Sequence, residues 1–153
     1  MKRSTIAKTF AIAAIALGMA PTAKADDKGC TNASLKGAYG YTSTGFITVG
    51  PAPVGPFAEV GTQTFDGKGG TTATATLSAN GNIFEITITG TYTVKPDCTG
   101  TFTLQVFPFN ATTRLFFVLD DNGTEIRAIQ TGGGSVETLI GRRQFPVGDL
   151  RNN

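Results

Sequence analysis

Glu59 and Gln63 are the polar residues whose spacing first invites a chemical reading. They lie in Phe57-Ala58-Glu59-Val60-Gly61-Thr62-Gln63, a stretch with strand character. At this even spacing their side chains share one face of a strand. If Asp66 pairs with Gly70 across the intervening turn, Gln63 stands opposite Ala73 and Glu59 opposite Leu77. Ala73 and Leu77 belong to an apolar face, so Glu59 and Gln63 point the same way. An inward carboxylate is costly unless paired or protonated. Its pKa rises, which suits it to general acid or base work or to holding the polar end of a ligand. Two competing placements exist. A register slip of one residue turns Val60 inward and Glu59 out, and an inward Glu59 at a barrel mouth has Arg142 to pair with.

Carried through the last hairpin, the same register puts Gln130, Thr138 and Arg142 on the inner face with Ile126 and Ile140. The first strand adds Tyr39, Tyr41 and Ser43. Glu125, Arg127, Glu137 and Arg143 fall outward, as cross-strand surface charges. The candidate ligand-binding set is therefore Glu59, Gln63, Tyr41, Gln130 and Arg142, with Glu59 the candidate catalytic residue.

Several chemistries lose their reagents. The chain contains no histidine, so it has no Ser-His-Asp triad, no Cys-His pair and no histidine-ligated metal. Cys30 and Cys98 are the only cysteines. In an oxidising compartment they pair, leaving no thiol nucleophile. In the chain-entropy treatment, closing so long a loop contributes at most about 4 kcal/mol. No glycine pattern of a nucleotide-binding loop follows a strand and opens a helix, and no cofactor is implied. Asp66-Gly67-Lys68-Gly69-Gly70 and Asp120-Asp121-Asn122-Gly123 raise a calcium question, but neither has the acidic spacing of an EF-hand loop. They read as turns in which Asp and Asn bond local backbone. No metal is expected. Three triplets beginning at Asn32, Asn110 and Asn122 match the glycosylation pattern by chance.

The elements that must position these residues are strands. Turn signals recur every 8–14 residues, and the spacing predicts eight strands at 37–49, 57–66, 71–79, 83–94, 98–107, 113–121, 124–131 and 136–145. Asn80-Gly81 and Asn122-Gly123 favour two-residue hairpins, because both central residues need positive φ. The first sets Leu77 opposite Phe84 and Ala75 opposite Ile86. The second sets Leu119 opposite Ile126 and Phe117 opposite Ala128. Phe84, Ile86, Ile88, Tyr92 and Val94 share a face that Phe102, Leu104 and Val106 continue. Consecutive hairpins with one apolar face describe an antiparallel meander. Eight such strands close most simply into an up-and-down barrel, which removes both edges; a two-sheet β-sandwich is the alternative.

Ahead of the strands, Met1–Lys8 is basic, Thr9–Met19 is apolar, and Ala23-Lys24-Ala25 has the small residues of a cleavage site. This is the secretory pattern, and the apolar run is too short to span a bilayer. Residues 1–25 read as a cleaved signal peptide, 26–145 as one barrel domain and 146–153 as a loose tail. The signal holds four of the 13 basic residues and none of the 11 acidic ones, so the net charge changes from +2 to −2 on cleavage. A near-neutral mature surface offers no footprint for nucleic acid, and no later segment reaches membrane-spanning length. The expected location is periplasmic or extracellular.

The runs Leu35-Lys36-Gly37-Ala38-Tyr39-Gly40-Tyr41, Gly55-Pro56-Phe57-Ala58-Glu59-Val60-Gly61, Thr64-Phe65-Asp66-Gly67 and Gly90-Thr91-Tyr92-Thr93-Val94 carry a resemblance. With Asp97-Cys98-Thr99-Gly100-Thr101 and Gly141-Arg142-Arg143-Gln144, they resemble a family of small exported bacterial proteins. That family is similar in architecture to the allene oxide cyclase-like barrels of the calycin group. The resemblance implies a closed barrel with a lipophilic interior. It carries over no cyclase residue, because none matches a position here. The leading functional expectation is binding of a small lipophilic ligand. A filled barrel acting as a structural or surface-interaction protein, and a metal-free cyclase- or isomerase-like enzyme using Glu59, are the alternatives.

Overall fold

Period-two alternation organises the whole described chain. The computed structural model describes residues 29–144; the expected signal peptide and tail lie outside them. Eight strands follow in order: β1 Gly37–Ile47, β2 Gly55–Phe65, β3 Gly70–Ala79, β4 Asn82–Val94, β5 Thr99–Phe107, β6 Ala111–Asp120, β7 Glu125–Gln130 and β8 Ser135–Arg143. Each pairs antiparallel with its sequence neighbour, and β8 returns to β1, closing an up-and-down barrel. The sandwich alternative is thereby overturned, since no sheet edge is left to separate two layers.

Local turn chemistry fixes most of the register. Asn80 and Gly81 both have positive φ, at 46° and 83°. The hairpin they make pairs Ala79 with Asn82, Leu77 with Phe84 and Ala75 with Ile86, as the Asn-Gly signal predicts. Asn122 and Gly123 also have positive φ, and Leu119 meets Ile126 while Phe117 meets Ala128. Here the ladder ends at Asp120–Glu125, and a short 3-10 turn at Asp121–Gly123 replaces the expected two-residue loop. The β2–β3 ladder places Glu59 opposite Leu77 and Gln63 opposite Ala73. Val60 is 59% exposed, so the slipped register is excluded.

The last hairpin departs from expectation. Ala128 pairs with Leu139 and Ile129 with Thr138, one step from the register that would turn Thr138, Ile140 and Arg142 inward. Leu139 and Gly141 are buried instead, and Ile140 is exposed. The glycine loop 132–134 does not dictate a register. The β1–β8 ladder does: it sets Tyr41 against Gly141, Ser43 against Leu139 and Gly45 against Glu137. Tyr41 also faces Gly61 on its other side. A Cβ at Gly61 would lie 2.5 Å from the Ala75 Cβ, so Gly61 cannot carry a side chain without disturbing β3.

The two ends of the barrel differ. At the base, where β1 begins, Tyr39, Phe65, Tyr92, Phe102 and Phe117 pack as one aromatic cluster. Phe65 meets Tyr39 edge-on at 5.3 Å and Tyr92 edge-on at 5.2 Å, while Phe102 and Phe117 stack at 4.3 Å. Phe117 lies over Gly100, where a Cβ would come within 2.3 Å of the ring. A 3-10 turn, Asn32–Leu35, lies across this end and buries Leu35 completely. Asn32 ties it down: its Oδ1 accepts from the Val94 amide at 2.8 Å and its Nδ2 donates to the Lys68 carbonyl at 3.2 Å. The Cys30–Cys98 disulfide anchors the same segment, with the Cys30 amide bonded to the Pro96 carbonyl. Arg143, expected outward, belongs here as well. It donates to the Ser34 carbonyl at 3.0 Å and to the Tyr39 hydroxyl at 2.7 Å, and stands 5.2 Å from the Tyr39 ring centre.

Candidate functional site

At the opposite end the wall residues become smaller or aliphatic, and a cavity of about 430 Å³ opens. Its wall includes Leu77, Ile86, Ile88, Leu104, Val106 and Leu115. Around its rim stand Val49–Ala52 of the β1–β2 connection, Phe109 of the β5–β6 turn, and Gly133 and Gly134. Phe109 packs edge-on against Phe84 at 5.1 Å. The long β1–β2 connection is held to the adjacent β7–β8 loop by the Thr48 and Val49 amides, which both donate to the Gly134 carbonyl.

The polar residues of the cavity gather around β1. Glu59 comes from β2 and Glu137 from β8, with the β1 residues Tyr41 and Ser43 between them. The Tyr41 hydroxyl donates to Glu59 Oε1. The Ser43 hydroxyl, 1% exposed, donates to Glu137 Oε1 at 2.7 Å. Burial pushes the Glu59 carboxyl up to about 7; the negative charge of Glu137 adds to the rise, and the Tyr41 hydrogen bond opposes it. Burial also raises Glu137, against the pull of its Ser43 hydrogen bond. Tyr41 is held far above the ordinary phenol range, first by burial and then by the neighbouring Glu59 charge. Two carboxyl groups thus share a low-dielectric wall, which favours the protonated form of each.

Of the residues expected to form a site, Glu59, Gln63, Tyr41 and Gln130 line this cavity. Gln63 is 4% exposed and donates to the Thr71 hydroxyl at 3.1 Å. Gln130 accepts from Ser135 and donates to the Gly132 and Gly133 carbonyls, so it braces the rim. Arg142 is not part of the site. Its side chain is 78% exposed, and its Nε pairs with Glu125 Oε2 at 2.9 Å on the outer surface. The register of β8 moves it outward, and the same change brings in Glu137, which the alternation of Val136, Thr138 and Ile140 had assigned to the surface. Nothing in the local alternation singles out Glu137; pairing of β8 with β1 brings it in.

Among the described residues no lysine or arginine lines the cavity. Among the described residues no group of three or more Cys, Asp or Glu stands where it would hold a metal ion. The Asp66 turn is held by backbone instead: Oδ1 accepts from the Lys68, Gly69 and Gly70 amides at 2.6, 2.9 and 2.9 Å. These bonds hold its carboxyl below the usual range. Among the described residues no helix is long and apolar enough to cross a membrane.

No family model and no curated protein matches the chain. Among solved structures it is similar to a redesigned β-barrel, with a TM-score of 0.55 and 20% identity, over 74% of this chain and 95% of that one. At that identity the likeness extends to the fold alone.

Proposed function

We propose that this protein is an exported barrel that binds a small lipophilic molecule in the open half of its interior. The carrying observation is the cavity of about 430 Å³, apolar on most of its wall, with its two carboxyl groups on the side formed by β2 and β8. Its size lies within the range of small-molecule sites, about 300–1,000 Å³, and its few convergent polar groups are what orient a ligand in such sites. Eight strands give an interior that side chains fill completely or that holds one small ligand. This barrel is filled by side chains at one end and hollow at the other. Export is supported by the secretory pattern of residues 1–25 and is compatible with the Cys30–Cys98 disulfide. The resemblance to allene oxide cyclase-like barrels supports the same reading.

The test is mass spectrometry of small molecules extracted from protein isolated under native conditions from its exporting host. The expected result is an apolar molecule near one equivalent. It should be absent from a Val106→Trp variant, whose indole projects into the cavity. Equal amounts from both proteins would overturn the proposal.

One observation favours a second reading. Glu59, held near neutrality beside Tyr41 and Glu137, is poised to exchange a proton with a bound substrate. An isomerase of the metal-free kind would use it as acid and base. Turnover of any molecule recovered by extraction, abolished in Glu59→Gln, would establish that reading over simple binding.

A further inference from the structure

The polar side of the cavity has an uneven charge. Glu59 and Glu137 reach it from strands on either side of β1, and the charge of Glu137 is felt at Glu59. Each carboxyl accepts one hydroxyl through Oε1, from Tyr41 and Ser43 respectively. Among the described residues, neither Oε2 has a hydrogen-bond donor. Of the other polar side chains, Gln63, Gln130 and Ser135 are engaged with Thr71 and with one another, Thr112 donates to Gln105, and Thr113 on β6 keeps a buried neutral hydroxyl without a partner among the described residues. The basic residues of the neighbouring strands lie elsewhere: Arg142 pairs with Glu125 outside, and Arg143 is bonded to Tyr39 and Ser34 at the base. Among the described residues the cavity therefore has two acids, free acceptor atoms on both and no cation in its lining.

We propose that the ligand is a lipophilic amine, bound as its cation with the ammonium group between Glu59 and Glu137. This rests on the reading of the cavity as a ligand site. A fatty-acid carboxylate would bring a third acid to a wall with no counter-charge, which is costly in low dielectric. A neutral alcohol would fill the apolar space but bring a single hydroxyl donor to two carboxyl groups. An ammonium group carries only donors, three of them in a primary amine, and the free Oε2 atoms are acceptors. Hydrogen bonds between ionised partners are shorter and stronger than neutral ones, and the apolar wall takes the hydrocarbon chain.

The experiment titrates the intact protein at neutral pH with octylamine, octanol and octanoate, which share a chain and differ in head group. Affinity is read by calorimetry. The expected order is octylamine first, at least about tenfold tighter than octanol, with octanoate weakest. In the Glu59→Gln, Glu137→Gln double variant octylamine should fall to the affinity of octanol, while octanol is held unchanged or better. Retained octanol binding also reports that the variant is folded. Arg142→Ala, on the outer surface, should leave all three affinities unaltered. If octanol or octanoate binds as well as octylamine, or the double variant keeps the amine preference, the charge assignment is wrong while the ligand cavity stands. If none of the three binds, the cavity reading itself fails and the amine proposal falls with it. Should the double variant not fold, the order of the three ligands on the unaltered protein still decides.

Discussion

Strands β5 and β6 run the full height of the barrel, and their inner residues differ between its ends. At the base they contribute Phe102 and Phe117, stacked 4.3 Å apart. At the open end they contribute Leu104, Val106, Ala111 and Thr113, which stand back from Glu59 and Glu137 across the cavity. The alternation of inner and outer residues is uninterrupted from one end to the other. What changes is side-chain volume, together with what covers the end. The base has Leu35, the disulfide and Arg143; the mouth has the β1–β2 connection, whose Thr48 and Val49 amides bond the Gly134 carbonyl. One pattern of strand parity thus builds a packed core and a hollow site in the same barrel, with the packed half holding the hollow half in shape.

This division has consequences for stability. Phe102→Ala at the base should cost about 4 kcal/mol, within the 3–5 kcal/mol usual for a fully packed phenylalanine. Leu104→Ala at the open end should cost about 1–2 kcal/mol, because part of its surface already faces empty space and loses no partner atoms. Urea unfolding of the two variants checks the ranking, and equal losses would mean that the open end is packed as tightly as the base. Replacing both Cys30 and Cys98 by Ala should cost about 3 kcal/mol, by freeing the denatured chain and the segment that covers the base. The same denaturation measurement should place this loss beside that of Phe102→Ala, with the chain still folded.

The acids of the open end make stability depend on pH. Glu59 titrates near 7 in the folded protein against an ordinary 4.5. Between those values the folded protein keeps a proton that the unfolded chain has released. Stability therefore falls as pH rises from 4.5 to 7, by at most about 3 kcal/mol, and levels off above. Glu59→Gln should remove this fall: near pH 4 it matches the parent, and at pH 8 it melts higher. Glu137 shifts in the same direction and leaves a residual slope in the variant. A parent protein whose melting temperature rises from pH 5 to 8 would place Glu59 in water.

The sequence was most informative where local chemistry decides the structure. Asn80-Gly81 and the Asp66–Gly70 turn set the β2–β3–β4 ladders, and with them the inward direction of Glu59 and Gln63. Two cysteines allowed one pairing, and it formed. It was least informative where distant residues decide. Val136, Thr138 and Ile140 alternate as convincingly as Glu137, Leu139 and Gly141, and a glycine loop cannot choose between them. Closure against Tyr41, Ser43 and Gly45 of β1 makes the choice. Arg142 was placed inside and Glu137 outside for that reason alone. Asn32, whose triplet resembles a glycosylation site, is occupied in holding the base together. The cavity was hidden too, because alternation reveals which side chains point inward and not whether they meet.

The central claim is that the open half holds a ligand and the packed half does not. Fluorescence titration of the protein with the neutral lipophilic probe phenylnaphthylamine, repeated on Val106→Trp, tests it most directly. One saturable site in the parent, at least about tenfold weaker in a variant with an unchanged circular-dichroism spectrum, is the expected result. Equal binding by both proteins, or no saturable binding by the parent, would contradict it.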